Sequence, residues 1–314
     1  MSNLFKDFSP TSTSEWQTKI ETDLKGKPFD NLKINLGNQK INPYHRTEDL
    51  ATIDHSDLVK YGNAGWQVGE VFKVENIKET NKKVLNALMN GVDAPTFYFE
   101  KNISDEDFLN LFENIGVEHI TTYFSIGENV DEENLHNQWI ALLATKQVST
   151  TASFFPKQNI DCTVFFDEEN AIKELQQCKN TFSLDKTHFT LFVGKNYLQE
   201  IAKLRAFQLL WLDFLKDEGE KPFLPNISVQ FSPTAYGNDK HDNLINASTL
   251  AMSAILGGAS QIIVRPTGNS DTERRHARNV QLILKHESGF DQVTDPAQGS
   301  YQIEKMTAIL VNEV

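Results

Sequence analysis

Cysteine is almost missing from this sequence. Cys162 and Cys178 are the only two among 314 residues, too few for a disulfide framework. No apolar run approaches the roughly 20 residues that span a bilayer. The first sixteen residues show no positive-then-apolar leader pattern. Basic residues are outnumbered, 30 Lys and Arg against 43 Asp and Glu, for a formal net charge of -13. Such a surface repels phosphate backbones and anionic lipids, so neither nucleic acid nor membrane is an expected partner. These absences predict a cytoplasmic protein. The common active-site signatures are missing too: there is no P-loop, no Rossmann glycine fingerprint and no serine nucleophile elbow. Eight histidines are scattered along the chain, and no two sit at a metal-ligand spacing. No internal repeat or low-complexity tract is found.

What remains is an ordinary globular composition, 39% hydrophobic, with 21 Phe. From about Ala94 onward, short β-branched and aromatic runs alternate with amphipathic stretches. The expected strands are Thr96–Phe99, His119–Ser125, Val148–Phe155, Asp161–Phe166, Thr187–Val193, Ile227–Phe231, Gln261–Val264 and Gln292–Thr294. The expected helices are Ile77–Met89, Asp105–Ile115, Glu132–Ala144, Glu168–Gln177, Asn196–Leu215, Asp242–Leu256, Asp271–His286 and Ile303–Val314. Strand–helix alternation argues for βαβ units and a parallel sheet. Eight strands, most followed by a helix, favour a (β/α)8 TIM-type barrel over 66–314. An open doubly wound sheet is the alternative, but it usually carries a Gly-rich first turn.

Residues 1–65 read differently. They hold Pro10, Pro28 and Pro43 and few sustained apolar patterns. Ser14 is placed to cap a short helix carrying Trp16, Ile20 and Leu24, ended by Gly26 and Pro28. Pro43 keeps Asn42 extended. This part is expected to be an extended N-terminal arm lying on the barrel or on a partner, not a domain.

Four local features have a chemical reading beside a structural one. Asn196–Leu215 carries a wide apolar stripe, as a barrel helix does. Asp239-Lys240-His241-Asp242-Asn243-Leu244 begins like the Asp-x-His-x-x-Gly motif whose His ligates cobalt, but Leu244 stands where Gly is needed; a capped helix start explains it better. Gly257-Gly258 could cradle phosphate, yet a doublet between a helix and a strand is the common form of a helix C-cap. Glu273-Arg274-Arg275-His276-Ala277-Arg278 could bind an anion or form a charged helix face with an Arg committed to an ion pair.

Two blocks resemble a known family. One is Asn196-Tyr197-Leu198-Gln199-Glu200-Ile201-Ala202-Lys203-Leu204-Arg205-Ala206 with Leu210-Trp211. The other runs from Arg275-His276-Ala277-Arg278-Asn279-Val280-Gln281 through Glu287-Ser288-Gly289 to Asp295-Pro296-Ala297-Gln298-Gly299-Ser300-Tyr301. Both look like the barrel domain of methylmalonyl-CoA mutase. Trp16, the stretch Asp23–Leu32 and Ile41-Asn42-Pro43-Tyr44 also look like the arm of that family's small subunit.

The departures shape what the resemblance implies. The family's catalytic subunit has a Gly-Tyr-His segment in mid-barrel; Thr163–Glu169 here reads Thr-Val-Phe-Phe-Asp-Glu-Glu. Its Arg-x-Ser-Phe-Phe-Trp strand is replaced by Thr187–Val193, and no cobalamin-binding domain is expected within these residues. The resemblance therefore implies the non-catalytic small subunit, which supports assembly and stability of a homologous catalytic large subunit in a heterodimer. Adenosylcobalamin would sit in that partner, which interconverts methylmalonyl-CoA and succinyl-CoA, and no cofactor would be bound by this chain. In the catalytic subunit the pantetheine of acyl-CoA threads the barrel axis, which requires small polar side chains inside. Here Phe97, Tyr98, Phe99, Tyr123, Phe124, Phe154, Phe155, Phe165, Phe166, Phe189, Phe192 and Phe231 crowd the strands. Each such ring buries about 150–250 Å², so the axis is expected to be blocked by aromatic rings. Ser149, Thr150, Thr151 and Ser153 are the competing, channel-lining set. The alternative function is a stand-alone acyl-CoA-binding barrel or isomerase with its ligand at the C-terminal strand rim. Phe99, Ser125, Gln230 and Arg265 are the candidate rim residues, Arg265 being presented by the turn at Pro266 and Gly268.

Overall fold

A side-chain cap starts six of the described helices. In the computed structural model, which describes residues 9, 11–36, 39–50, 53–148, 153–154, 159–161, 171–184 and 188–314, the first helix, α1, spans Thr13–Asp23. Its cap is Ser12, not the expected Ser14, because Glu15 reaches back to close a capping box. The chain leaves α1 through two left-handed residues, Lys25 and Gly26. A short antiparallel pair follows, β1 (Ile34–Leu36) with β2 (Gln39–Ile41), and then α2 (Asp57–Tyr61).

The sheet is parallel throughout. Its strands are β3 (Gln67–Lys73), β4 (Ala94–Phe99), β5 (Thr122–Ile126), β6 (Ser153–Phe154), β7 (Asn159–Asp161), β8 (His188–Val193), β9 (Asn226–Phe231) and β10 (Gln261–Ile263). Their order is β6-β5-β4-β3-β10-β9-β8-β7, so six strands form a continuous centre and the short β6 and β7 stand at its ends. The sheet is curled into a half-barrel. Strands β5 and β8 lie five places apart, about 24 Å on a flat sheet at 4.7–4.9 Å per strand. Yet the rings of Tyr123 and His188 are 5.1 Å apart.

Helices cover the convex side: α3 (Ile77–Met89), α4 (Asp105–Leu111), α5 (Glu132–Thr145), α6 (Ala171–Lys179), α7 (Tyr197–Asp217), α8 (Lys240–Leu256) and α9 (Asp271–Leu282). A π-helical turn, Ile283–Glu287, extends α9, and α10 (Tyr301–Glu313) lies over α7. Two expectations fail here. Strand β3 was not expected, because Gly69 and Glu70 break its apolar pattern. Gly69 is there for space: a Cβ would stand 2.7 Å from Ile263 Cγ1 on the adjoining strand. Gln292–Thr294 forms no strand and lies in the loop before α10.

Several rings of the expected aromatic plug turn away from the axis, while Tyr123 and Phe192 face it. Phe72, Phe97, Phe99 and Phe124 point outward into one core with Phe108, Phe112 and Trp139 of the helix layer. Phe189, Leu191, Ile227, Val229 and Phe231 point outward into a second with Phe207 and Trp211 of α7. Alternation is strict, and the helices supply the apolar partners, so the rings go to them. Phe155, Phe165, Phe166 and the side chain of Phe154 lie outside the described residues, as do Ser149, Thr150, Thr151, the side chain of Ser153, and Thr163–Glu169.

Residues 39–50 and 53–61 lie on this chain's own helices. Gln302 donates to the Asn42 carbonyl at 3.3 Å and Thr47 to the Tyr301 hydroxyl at 3.0 Å. Leu36 and Ile41 are buried in the second core. Helix α1, in contrast, buries no residue. Among the described residues, its Trp16 makes ring contacts with Phe29 and Tyr44, at 6.5 and 4.7 Å.

Candidate functional site

With most large apolar residues facing the helices, the alternate positions of the described strands face the hollow of the sheet, and most of these are polar, with Phe192 and Ile263 among the exceptions. Tyr123 donates to Gln67 Oε1 at 2.8 Å, and Gln67 donates in turn to Thr121. Ser228 donates to Gln261 Oε1, which leaves His188 Nε2 to donate to the Ser228 oxygen at 2.9 Å. Gln261 Nε2 reaches the Ala94 carbonyl at 2.9 Å. Burial pulls the His188 imidazole down to about 3, so it is neutral at pH 7. Burial likewise raises the Tyr123 phenol above its ordinary value.

Above this layer, toward the C-terminal ends of the strands, is a cavity of about 420 Å³. Ser125, Thr190, Ser228, Gln230, Phe192 and Ile263 are among its described lining residues, and none of the described lining residues is charged. Two of the four expected rim residues, Ser125 and Gln230, therefore meet in one cavity. Phe99 does not join them; it is buried outward between Phe108 and Phe124. Arg265 is exposed and turned away, donating to the Pro233 carbonyl at 3.4 Å and lying 5.5 Å from the Tyr236 ring.

A second cavity, about 610 Å³, opens at the opposite end of the strands beneath α2. Trp66, Gln67, Asp93, Tyr123, Arg205 and Asp295 contribute to its wall. A buried charge cluster adjoins it. Arg205 Nη2 is 3.0 Å from both Glu304 oxygens, and its Nη1 is 3.1 Å from Asp295 Oδ1. His55 and the Gly299 amide also donate to Glu304. Burial raises the Asp295 carboxyl, although the Arg205 charge opposes it. Burial pushes Glu304 up as well, but its hydrogen bonds from His55 and Gly299 and the Arg205 charge leave it below the ordinary value.

Residues 180–314 match the family model described as methylmalonyl-CoA mutase. Over 97% of its length the chain is 27% identical to the methylmalonyl-CoA mutase small subunit of Porphyromonas gingivalis, covering 62% of that protein. The second half of the chain thus matches the mutase family's model, and nearly the whole chain is similar to that family's small subunit. The chain is 36% identical to the mutase of Rhizobium meliloti over 38% of this chain and 18% of that one. To the mitochondrial mutase of Homo sapiens it is 33% identical over 37% and 17%. The chain thus spans about three fifths of the small subunit and under a fifth of these mutases. Among solved structures, it is similar to the dihydropteroate synthase of Yersinia pestis at 10% identity. That match covers 74% of this chain and 99% of the other at a TM-score of 0.32.

The mutase-family blocks meet in the charge cluster. Arg205 comes from α7, Asp295 from the Asp-Pro-x-x-Gly-Ser-Tyr loop and Glu304 from α10, so this cluster ties the last helix to the layer beneath it. Asp295 holds its place at φ 45°, in the left-handed region. The remaining motifs are structural. Asp239 caps α8, accepting from the His241 and Asp242 amides, and His241 is exposed; these residues do not fit a cobalt ligand. Gly257 and Gly258 end α8, Gly258 at φ 87°.

Proposed function

We propose that this chain is a non-catalytic small subunit of an adenosylcobalamin-dependent methylmalonyl-CoA mutase, supporting a homologous catalytic large subunit in a cytoplasmic heterodimer. The observation that carries this reading is the uncharged cavity. Methylmalonyl and succinyl groups each bear a carboxylate, whose burial is costly without a cation beside it. The described lining of the 420 Å³ cavity offers neither Lys nor Arg, and His188 is held neutral. The cofactor would supply the radical chemistry in the partner. This chain would contribute a surface.

The same reading closes the barrel. In it, β6 and β7, at the two ends of the sheet, approach each other to complete eight strands around residues 66–314. Residues 1–65 then form the arm, with α1 as its partner-facing piece. The exposed face of α1 and its half-buried Trp16 support that role, since apolar surface of this kind is normally covered by something.

A second reading keeps the cavity as a binding site for the neutral middle of an acyl-CoA, entered at the rim by Ser125 and Gln230. Its support is the cavity's size and its hydroxyl and amide lining. Titration calorimetry of the chain alone with methylmalonyl-CoA and with adenosylcobalamin separates the two. The subunit reading expects no heat from either, and a micromolar dissociation constant for either would overturn it. Mixing the chain with the homologous large subunit should give a stable complex, and deleting residues 1–27 should weaken it without unfolding the sheet. A truncated chain that binds at full strength would remove α1 from the interface.

A further inference from the structure

We propose that the groove between α3 and α9 is a binding site for a phosphoryl-bearing anion. The Arg-rich run of α9 divides in two. Arg274 and Arg278 turn toward the sheet and grip Glu70 of β3 from both sides, at 2.5 and 2.8 Å. Arg274 is fixed further by the Val71 carbonyl at 3.0 Å and the Phe72 ring at 5.0 Å. One carboxylate between two guanidinium groups leaves the groove floor positive. Arg275 stays outside and exposed on the wall, facing Lys82 and Lys83 of α3, which are also exposed. None of these three has an ion-pair partner among the described residues. Glu79 and Asp271 are the opposing acids of the lining, both exposed. Five cations against three carboxylates give the groove a positive charge on a chain whose total is -13.

The placement of these charges selects the ligand. Strands β3 and β10 are neighbours and parallel, and α3 and α9 each return from one of them. The two helices therefore run side by side in the same direction. Lys82 and Lys83 fall on the second turn of α3, and Arg275 and Arg278 on the second turn of α9. The cations converge at one height instead of lining the groove's length. A compact multiple anion fits such convergence, whereas an extended acidic peptide would want charges spread along it. Arg offers a planar donor fork and Lys a point charge, the pairing that phosphoryl oxygens use. Asn86 and Asn90 add uncharged donors toward the other end. A volume of about 560 Å³ admits pyrophosphate alone or a nucleoside diphosphate.

Calorimetry on the full chain at constant ionic strength, with pyrophosphate, inorganic phosphate and ADP as probes, tests this. Pyrophosphate should bind saturably, and the exposed-site variant Lys82→Ala/Lys83→Ala/Arg275→Ala should weaken it by about tenfold or more. The control Lys216→Ala/Lys221→Ala, exposed lysines elsewhere on the surface, should bind as the unaltered chain does. ADP binding about tenfold tighter than pyrophosphate would make a nucleotide the source, and equal binding would make it the phosphoryl group itself. No saturable heat up to about 10 mM pyrophosphate, or a triple variant within about twofold of the parent, would overturn the proposal.

Discussion

Replacing Arg205 with Leu tests whether the charge cluster holds the last helix in place. Arg205 is 1% exposed, so its removal leaves two carboxylates in a place water hardly reaches. Glu304 would keep the His55 and Gly299 donors, while Asp295 would lose its contact at Oδ1. Breaking a buried pair from one side costs about 3–5 kcal/mol, and that range is the expected loss here. The penalty should depend on pH with a definite sign. Asp295 already titrates above 3.8 in the folded chain, because burial outweighs the pull of Arg205. Without that pull its folded value rises further, and Glu304 follows. Across that window the native state binds more protons than the unfolded one, so the variant loses stability as pH rises. In the parent chain the lowered Glu304 has the opposite effect, stabilising above its unfolded value and less as pH falls. Both trends make the deficit largest near pH 7.5 and smaller toward pH 4.5. Urea unfolding followed by Trp fluorescence measures it. A loss below about 1 kcal/mol at pH 7.5, or a deficit that does not shrink on acidification, would refute the reasoning.

Phe97→Ala removes a fully buried ring that lies 4.7 Å from Phe112 and 6.1 Å from Phe124. It should lower the unfolding free energy by about 3–5 kcal/mol in the same assay. His188, depressed to about 3 from 6.5, contributes stability that is full above pH 6.5 and lost as pH falls. The loss attributable to it should reach about 2 kcal/mol by pH 5 and be absent from His188→Asn. Its ring resonances should show no titration between pH 4 and 8, and a midpoint near 6.5 would contradict its burial.

Much of the helix layer was legible from periodicity, because a helix on a sheet needs an apolar stripe and α7 has one. Strand β3 was not legible. Its Gly69 and Glu70 satisfy neighbours distant in sequence, Ile263 for the first and Arg274 and Arg278 for the second. Alternation was legible in the strands, but which alternate set faces inward was not. Phe97 and Phe99 alternate with Thr96 and Tyr98, Phe189 and Leu191 with His188 and Thr190, and Ile227 and Val229 with Ser228 and Gln230. Period two cannot say which set faces inward; the apolar helices can, since they must be met by apolar residues. Applied to His188, Ser228 and Gln261, that argument would have found the polar layer from sequence. Ser125 and Gln230 were reached from strand ends alone. The same rule misplaced Phe99, whose parity sends it outward, and Arg265, which Pro233 and Tyr236 hold aside.

The pairing of β3 with β10 has a consequence for synthesis. The first strand of the sheet finds one neighbour at once, in β4, but its other neighbour is β10, roughly 190 residues downstream. At about 5–20 residues per second, one edge of β3 waits some 10–40 s for its partner to be made. During that interval a bare strand edge is a template for the wrong chain. Gly69 and Glu70 sit on that edge, and neither favours stray pairing: one weakens the strand and the other charges it. The residues that hid β3 from a reading of the sequence also protect the nascent chain until Gln261–Ile263 arrive.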